Sequence, residues 1–410
     1  MKTMLLLDEA IQHILDRIKP LQEETVTLDH AHARVMSRDV ISDADIPLFD
    51  NSSMDGYALR SDDVKGASEQ SPVTLTVVEH IRAGSVPQVK LEPFQASRIF
   101  TGAQVPLGAD AVVIQENTRR GDSAVEILEP VGKGANIRRI GEDMKTGAVC
   151  VSAGKLITAA DMGLMAAVGK ETVYVHRRPI VAVLTTGDEL IEPGKPLEPG
   201  KIRNSNTYSL IGQVLQYGGL PINLGVARDD PEDIQEKLTT GLKSADMLIT
   251  SGGVSVGDHD EVQAVFSTLG VELVFWKVRM KPGKPLLFGM YQDIAVFGVP
   301  GNVASSMVVF EQILRPALLK MCGRKALFLP EIEAELMDDL RCKGDRVTFI
   351  RVTLQRTADR FHAFSSGSQS SGVLSSFASA HGFVSIPIGQ KLLAKGQRIK
   401  VQVIDWSFLS

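Results

Sequence analysis

Acidic residues stand just after three apolar runs of this chain: Asp188 and Glu189 after Leu184, Asp229 and Asp230 after Val226, Asp258 and Asp260 after Ile249. Gathered at one sheet edge, such carboxylates repel unless a cation lies among them. An all-oxygen set without His or Cys favours a hard ion such as magnesium. Asp230 precedes Pro231 and is explained as a helix cap, which leaves Glu189, Asp229 and Asp260 as the metal candidates. Opposite in sign are Lys277, Arg279, Lys281 and Lys284, interleaved with Pro282 and Pro285. On an extended strand the first three fall on one face. A charged edge that blocks aggregation explains one such stripe. So dense a cluster predicts more: phosphates or another oxyanion held by lysines beside a metal held by carboxylates.

Between these groups runs Thr250-Ser251-Gly252-Gly253-Val254-Ser255, which continues through Gly257 to His259 and Asp260. A buried strand opening into glycines lets backbone N–H groups approach an anion closely, with Gly252, Gly253 and Ser255 as the binding positions. An ordinary strand-to-helix connection explains the same residues. No Lys-Ser/Thr follows at Walker spacing, and neither G-x-S-x-G nor H-E-x-x-H occurs. Of the eight histidines, His259 alone falls in this candidate loop. Catalysis is therefore expected from positioning and electrostatics, without a covalent intermediate. Near the start, Asn51-Ser52-Ser53-Met54-Asp55-Gly56 reads as a polar turn in which Asp55 is the functional candidate. Thr101, beside Gly102, either donates to an anion or simply ends its strand. Arg138-Arg139-Ile140-Gly141-Glu142-Asp143 reads first as a solvated turn with local ion pairs.

The elements that must position these groups change character along the chain. Leu5, Ala10, Ile11, Ile14, Leu15 and Ile18 recur at helical spacing up to Pro20. Residues 49–139 hold short alternating runs such as 73–78 and 111–114, a β-rich inserted domain. Thr158 and Asp161 form a capping box for a helix over 159–168. Strands at 180–184, 222–226, 247–249, 273–278 and 294–299 alternate with helices at 209–216, 231–242, 262–269 and 302–321. That alternation predicts an open, mostly parallel α/β sheet over 177–326, with ligands outside the carboxyl ends of its strands. Strands at 332–336, 347–354, 361–364 and 399–404 make 327–410 a C-terminal β domain, and the serine-rich 365–376 a loop. The fold class is multidomain α/β and β.

A length of 410 residues, 44% hydrophobic and 23% charged, suits several soluble globular domains. The formal charge of −5 argues against nucleic acid or anionic membrane as partner. Three separated cysteines, without a C-x-x-C pair or signal-peptide core, predict a cytoplasmic protein.

Read in order, Asp50 to Ala58, Thr101-Gly102-Ala103, Asn136-Ile137-Arg138, Gly141-Glu142-Asp143, Thr186-Gly187-Asp188-Glu189-Leu190, Ser251 to Asp260, Lys281-Pro282-Gly283-Lys284-Pro285 and Pro300-Gly301-Asn302 resemble the molybdopterin molybdenumtransferase family. These are the MoeA-type enzymes, found also as the C-terminal part of gephyrin, and the resemblance spans nearly the whole chain. It implies magnesium-dependent insertion of molybdenum from molybdate into adenylylated molybdopterin, with release of AMP. It implies an elongated homodimer in which residues 1–48 and 140–176 form an extended, helical dimerisation domain and the cleft lies between the α/β domain of one subunit and the first domains of the other, and a partner protein that adenylylates the pterin. Carried over, the family's functional positions are Asp55, Thr101, Asp143, Glu189, Asp229, Asp260, Lys277, Lys281 and Pro300. Lys284, Ser305 and Arg351 resemble the residues that hold molybdate. Val303 stands where the family has a second proline. That departure keeps open a non-catalytic pterin-binding scaffold and a tungstate-using insertase; a magnesium-dependent nucleotide or sugar-phosphate enzyme is the weaker alternative.

Overall fold

The computed structural model describes residues 2–253 and 261–409. Its centre is a seven-stranded sheet in the order Lys2–Leu5, Glu272–Val278, Leu287–Tyr291, Ile294–Val299, Met247–Ser251, Ile180–Thr186, Leu220–Ala227. Pairing is parallel except on both sides of Leu287–Tyr291, which runs antiparallel to its neighbours. The inner strands are apolar at almost every position because helices cover both faces. On one face Leu7–Leu15, Asn206–Gln216 and the helical stretch from Val303 to Met321 pack through Ala10, Ile14, Leu210, Val214, Val308 and Leu318. On the other, Pro231–Ser244 and Glu261–Thr268 pack through Ile234, Leu238, Val262 and Phe266. Asp230 accepts from the Glu232 N–H at 3.2 Å, and Pro231 occupies the first turn, the cap expected from the sequence.

Residues 2–18 do not open the extended domain: Lys2–Leu5 is an edge strand of the central sheet, and Ala10, Ile14 and Ile18 are buried in that domain's core. Nor is the extended domain built of helices. It consists of two antiparallel pairs, Glu23–Thr27 with Thr172–His176 and Val40–Ile41 with Val149–Val151, around one nine-residue helix, Ala159–Ala167. That helix has its capping box: Thr158 N–H donates to Asp161 Oδ2 at 2.9 Å and Asp161 N–H to Thr158 Oγ1 at 3.4 Å.

The inserted region is a six-stranded sheet that includes Gly56–Leu59, Val73–Ile81, Gln95–Ile99 and Ala111–Ile114. At the C-terminus Val347–Arg356, Phe361–Ser365, Glu331–Leu336, Arg398–Val403 and Gly382–Ile386 pair in that order, and Val347–Arg356 also pairs with Gly382–Ile386, which closes the sheet into a barrel. Closure removes the free edges. Onto this barrel the central domain lends Met280–Lys281, parallel to Val347 and Thr348. Among the described residues, no helix is long and apolar enough to cross a membrane.

Candidate active site

At the carboxyl ends of the central strands lies a cleft of about 900 Å³. Its walls are the ends of Ile180–Thr186 and Met247–Ser251, the segment 300–303, the start of helix Asn206–Gln216, and a small flap in which Leu190–Ile191 pairs with Ile202–Arg203. Glu189, Asp229, Gly252, Gly253 and Pro300 all line it, together with Thr186, Asn206, Glu261 and Pro285. This is where a doubly wound sheet binds ligands, because the loops that leave successive strands diverge there.

A buried amide network fixes the floor. Asn206 Nδ2 donates to Ser251 Oγ and to the Gly301 carbonyl, each at 2.7 Å, and Ser251 Oγ donates to the Pro300 carbonyl at 3.2 Å. One asparagine thus ties a helix start to two strand ends. Asn204 Nδ2 reaches Thr207 Oγ1 at 3.0 Å, and Thr207 shares a short hydroxyl contact with Thr185. Asn204, Asn206 and Thr207 were not foreseen as part of the site. The polar run Arg203 to Thr207 ahead of a helix was the available signal.

The glycines are required by space. Gly252 has φ 99°, and a Cβ there would stand 2.5 Å from the Thr186 carbonyl oxygen; Gly253 has φ 63° and faces Val262. The N–H of Gly252 is not aimed at the cleft, because it donates to the Val299 carbonyl at 3.3 Å. Thr186 Oγ1 and Glu261 Oε2 are buried at the cleft wall with no hydrogen-bond partner among the described residues, as expected where a ligand completes a site.

Of the three acids that line the cleft, the two foreseen, Glu189 and Asp229, sit differently. Asp188 and Asp229 exchange backbone-to-carboxylate bonds at 3.3 Å in each direction, which locks the two loops together, while the Glu189 carboxylate folds back over Gly187. Ser255 and Asp260 lie outside the described residues. Among those described, no three His, Cys, Asp or Glu side chains gather closely enough to hold a metal. The donors present, Glu189 and Asp229, are hard carboxylate oxygens at a mouth that also carries orphaned polar atoms, and they suit a hydrated magnesium ion that keeps several waters.

The lysine run does not form one stripe. Glu272–Val278 ends before Arg279, Lys277 has φ 68°, and Lys281 pairs with the C-terminal barrel. The left-handed turn at Lys277 breaks the two-residue alternation on which the expectation rested. Lys277, Lys281 and Lys284 do not line the cleft, although Pro285, which follows them, does.

Ser305 is buried in the first turn of the helix that starts at Val303, where its N–H and that of Ser306 both donate to the Asn302 carbonyl at 3.0 Å. Arg351 is fully buried in the barrel wall. Its Nη2 donates to the carbonyls of Ser368 at 2.8 Å and Ser370 at 3.2 Å, while Nε and Nη1 have no partner. Burial pulls this guanidinium below its ordinary range. The serine-rich loop joins Arg351 to the cleft: the Ser371 carbonyl accepts from the Ala304 N–H at 3.1 Å, and Gly372 lines the cleft wall.

Asp55, Thr101 and Asp143 lie on other domains. Asp55 Oδ1 accepts from both the N–H and the hydroxyl of Thr101 at 2.8 Å, and the backbone N–H foremost holds its carboxyl below the ordinary carboxylate range. The pair therefore clamps one sheet end, as the strand-ending reading of Thr101 supposed. Asp143 is exposed, and its N–H donates to the Ile46 carbonyl at 3.0 Å.

The fold and cleft together define a multidomain protein built on a doubly wound α/β domain with a ligand cleft at its strand ends, and comparison with known proteins narrows this further. Family profiles match along the whole chain: the MoeA N-terminal region (domain I and II) over residues 5–169, a probable molybdopterin binding domain over 182–320, and the MoeA C-terminal region (domain IV) over 333–404. The molybdopterin molybdenumtransferase of Bacillus subtilis is 34% identical over 100% of this chain and 98% of its own length. That of a Nostoc species is 37% identical over 92% and 88% respectively. The crystal structure of the molybdopterin biosynthesis MoeA protein of Pyrococcus horikoshii superposes with a TM-score of 0.83 at 31% identity, covering 98% of this chain and 100% of that one. The chain belongs to the molybdopterin molybdenumtransferase family and is an enzyme of molybdenum cofactor biosynthesis.

Proposed function

We propose that this enzyme inserts molybdenum from molybdate into the dithiolene of adenylylated molybdopterin and releases AMP, with Mg²⁺ bound in the cleft. The observation that carries the reading is Arg351, a buried guanidinium held through Nη2 against the serine-rich loop that packs beside the cleft, with Nε and Nη1 left without a partner among the described residues. A cation with spare donors fits a doubly charged oxyanion, with Ser305 and Lys284 as further donors. Glu189 and Asp229, with Asp260, are the carboxylates that would hold Mg²⁺. When bound, that ion neutralises phosphate charge and favours departure of AMP. Lys277 and Lys281 face the pterin and nucleotide phosphates from the Pro285 side, and Gly252, Gly253, Ser255 and Pro300 shape the wall against which the substrate lies.

Asp55, Thr101 and Asp143 enter as contributions of a second subunit in a homodimer, since they lie on domains apart from the cleft of their own chain. A partner protein supplies the adenylylated pterin. All three cysteines are free, in keeping with a cytoplasmic enzyme.

Incubation with adenylylated molybdopterin, Mg²⁺ and molybdate tests the proposal. AMP release and a pterin that activates a molybdenum enzyme are expected. No release above a blank with the pterin bound would reject it, and faster release with tungstate would reassign the oxyanion.

A further inference from the structure

Glu272–Val278 runs parallel to Ile294–Val299, with one strand between them, so its carboxyl end stands about 10 Å from Val299 at ordinary strand spacing, and the Lys277 N–H donates at 2.8 Å to the carbonyl of Leu286, the neighbour of the cleft-lining Pro285. At that end Lys277 Nζ lies 3.4 Å from the centroid of the Trp276 ring. Neighbours on a regular strand project to opposite faces and cannot touch in this way. Contact is made because Lys277 has φ 68°, a left-handed conformation that a long side chain seldom adopts. A second local penalty accompanies it, since Trp276 Nε1 is buried with no acceptor among the described residues. A strand end that merely filled the core would carry neither, because Phe or Leu would pack there without an orphaned N–H.

We propose that Trp276 is the positioning residue for Lys277: its indole face holds the ammonium at the Pro285 side of the cleft, oriented in advance toward the anionic substrate. This rests on the reading of Lys277 as a substrate phosphate ligand. The ring face attracts the cation without neutralising it, so the charge stays available to a phosphate, which a carboxylate partner would not allow. Fixing the long lysine side chain beforehand removes an ordering penalty from binding.

The protein has two tryptophans, and the second, Trp406, is exposed on the C-terminal domain, stacked on Phe408. Trp406→Phe therefore leaves Trp276 as the sole reporter. In that background and without ligand, Lys277→Gln should change the yield and maximum of the emission. Identical spectra would overturn the proposal. Binding of adenylylated molybdopterin, measured by equilibrium dialysis, should weaken about tenfold in Trp276→Leu and by less than about threefold in Trp276→Phe, which keeps an aromatic face. In a Lys277→Gln background Trp276→Leu should have no further effect. Full additivity there, or unchanged affinity in Trp276→Leu, would leave Trp276 a packing residue and overturn the proposal alone. Failure of the wild type to bind the pterin would overturn the functional reading as well.

Discussion

Arg351 is buried with two of its nitrogens, Nε and Nη1, unpaired among the described residues, so its charge adds little to folding. Replacing such a group by an apolar side chain of similar volume is often neutral or stabilising. Arg351→Met should therefore keep the unfolding free energy from urea titration within about 1 kcal/mol of the wild type or raise it. Molybdate-dependent AMP release, assayed in the same preparation, should fall by about a hundredfold or more. Gly252→Ala is expected to behave in the opposite way. The new Cβ would need a φ of 99° and would meet the Thr186 carbonyl oxygen at 2.5 Å, so thermal unfolding should show a loss of about 2–4 kcal/mol. At this scale the sequence revealed side-chain chemistry better than direction. Glu189 and Asp229 reach one cleft as their position after strands implied, and Gly252 and Gly253 stand where a turn was read. The lysine stripe was misread because a positive φ at Lys277 leaves no trace in residue type. The Asn206 network stayed hidden because an asparagine ahead of a helix reads as a cap, not as a tie between two strands.

The element that most shapes the site is the stretch from Val303 to Met321. Periodicity predicted one helix over 302–321, and the ends agree, but Phe310–Leu314 is a π-helical turn between two α-helical segments. Inside it Glu311 accepts from Gln213 Nε2 and from the Tyr217 hydroxyl, both at 2.7 Å, and burial raises its carboxyl above the ordinary range. A carboxyl raised in the folded state gives stability that is fully present below the unfolded pKa and is lost as pH rises through the folded one. Glu311→Gln should thus gain on the wild type as pH climbs from about 4.5 to 8, a trend that urea unfolding at several pH values would reveal; a constant difference would contradict it. At the other end, Val303 replaces the proline of the resemblance. The helix start is nevertheless pinned, since the Asn302 carbonyl accepts from Ser305 and Ser306 and the Ser371 carbonyl from Ala304. The first helical position has no need of its N–H, so Val303→Pro should raise stability by about 0.4–1 kcal/mol and leave turnover intact. A drop in either, by calorimetry or rate, would mean that the valine shapes the oxyanion pocket.

Across the whole molecule, alternation of apolar strands with capped helices disclosed the central sheet, and even strand spacing disclosed the two β domains. Long-range pairing was not legible. Lys2–Leu5 joins strand Glu272–Val278 across most of the chain, and Gly382–Ile386 closes the barrel, contacts fixed by tertiary packing and not by local pattern. The same architecture divides the chemistry: Glu189 and Asp229 lie in the cleft, Arg351 behind the barrel loop, and Asp55 and Asp143 on separate domains. The proposed function requires the carboxylates of the cleft to hold the Mg²⁺ on which AMP release depends. Single-turnover AMP release against Mg²⁺ concentration, in wild type, Glu189→Gln and Asp229→Asn loaded with adenylylated molybdopterin, tests it most directly. A saturable Mg²⁺ requirement is expected in the wild type, and in each variant a markedly higher Mg²⁺ half-saturation or a rate at least about a hundredfold lower while the pterin stays bound. Release that is independent of Mg²⁺, or unaltered in both variants, would contradict it.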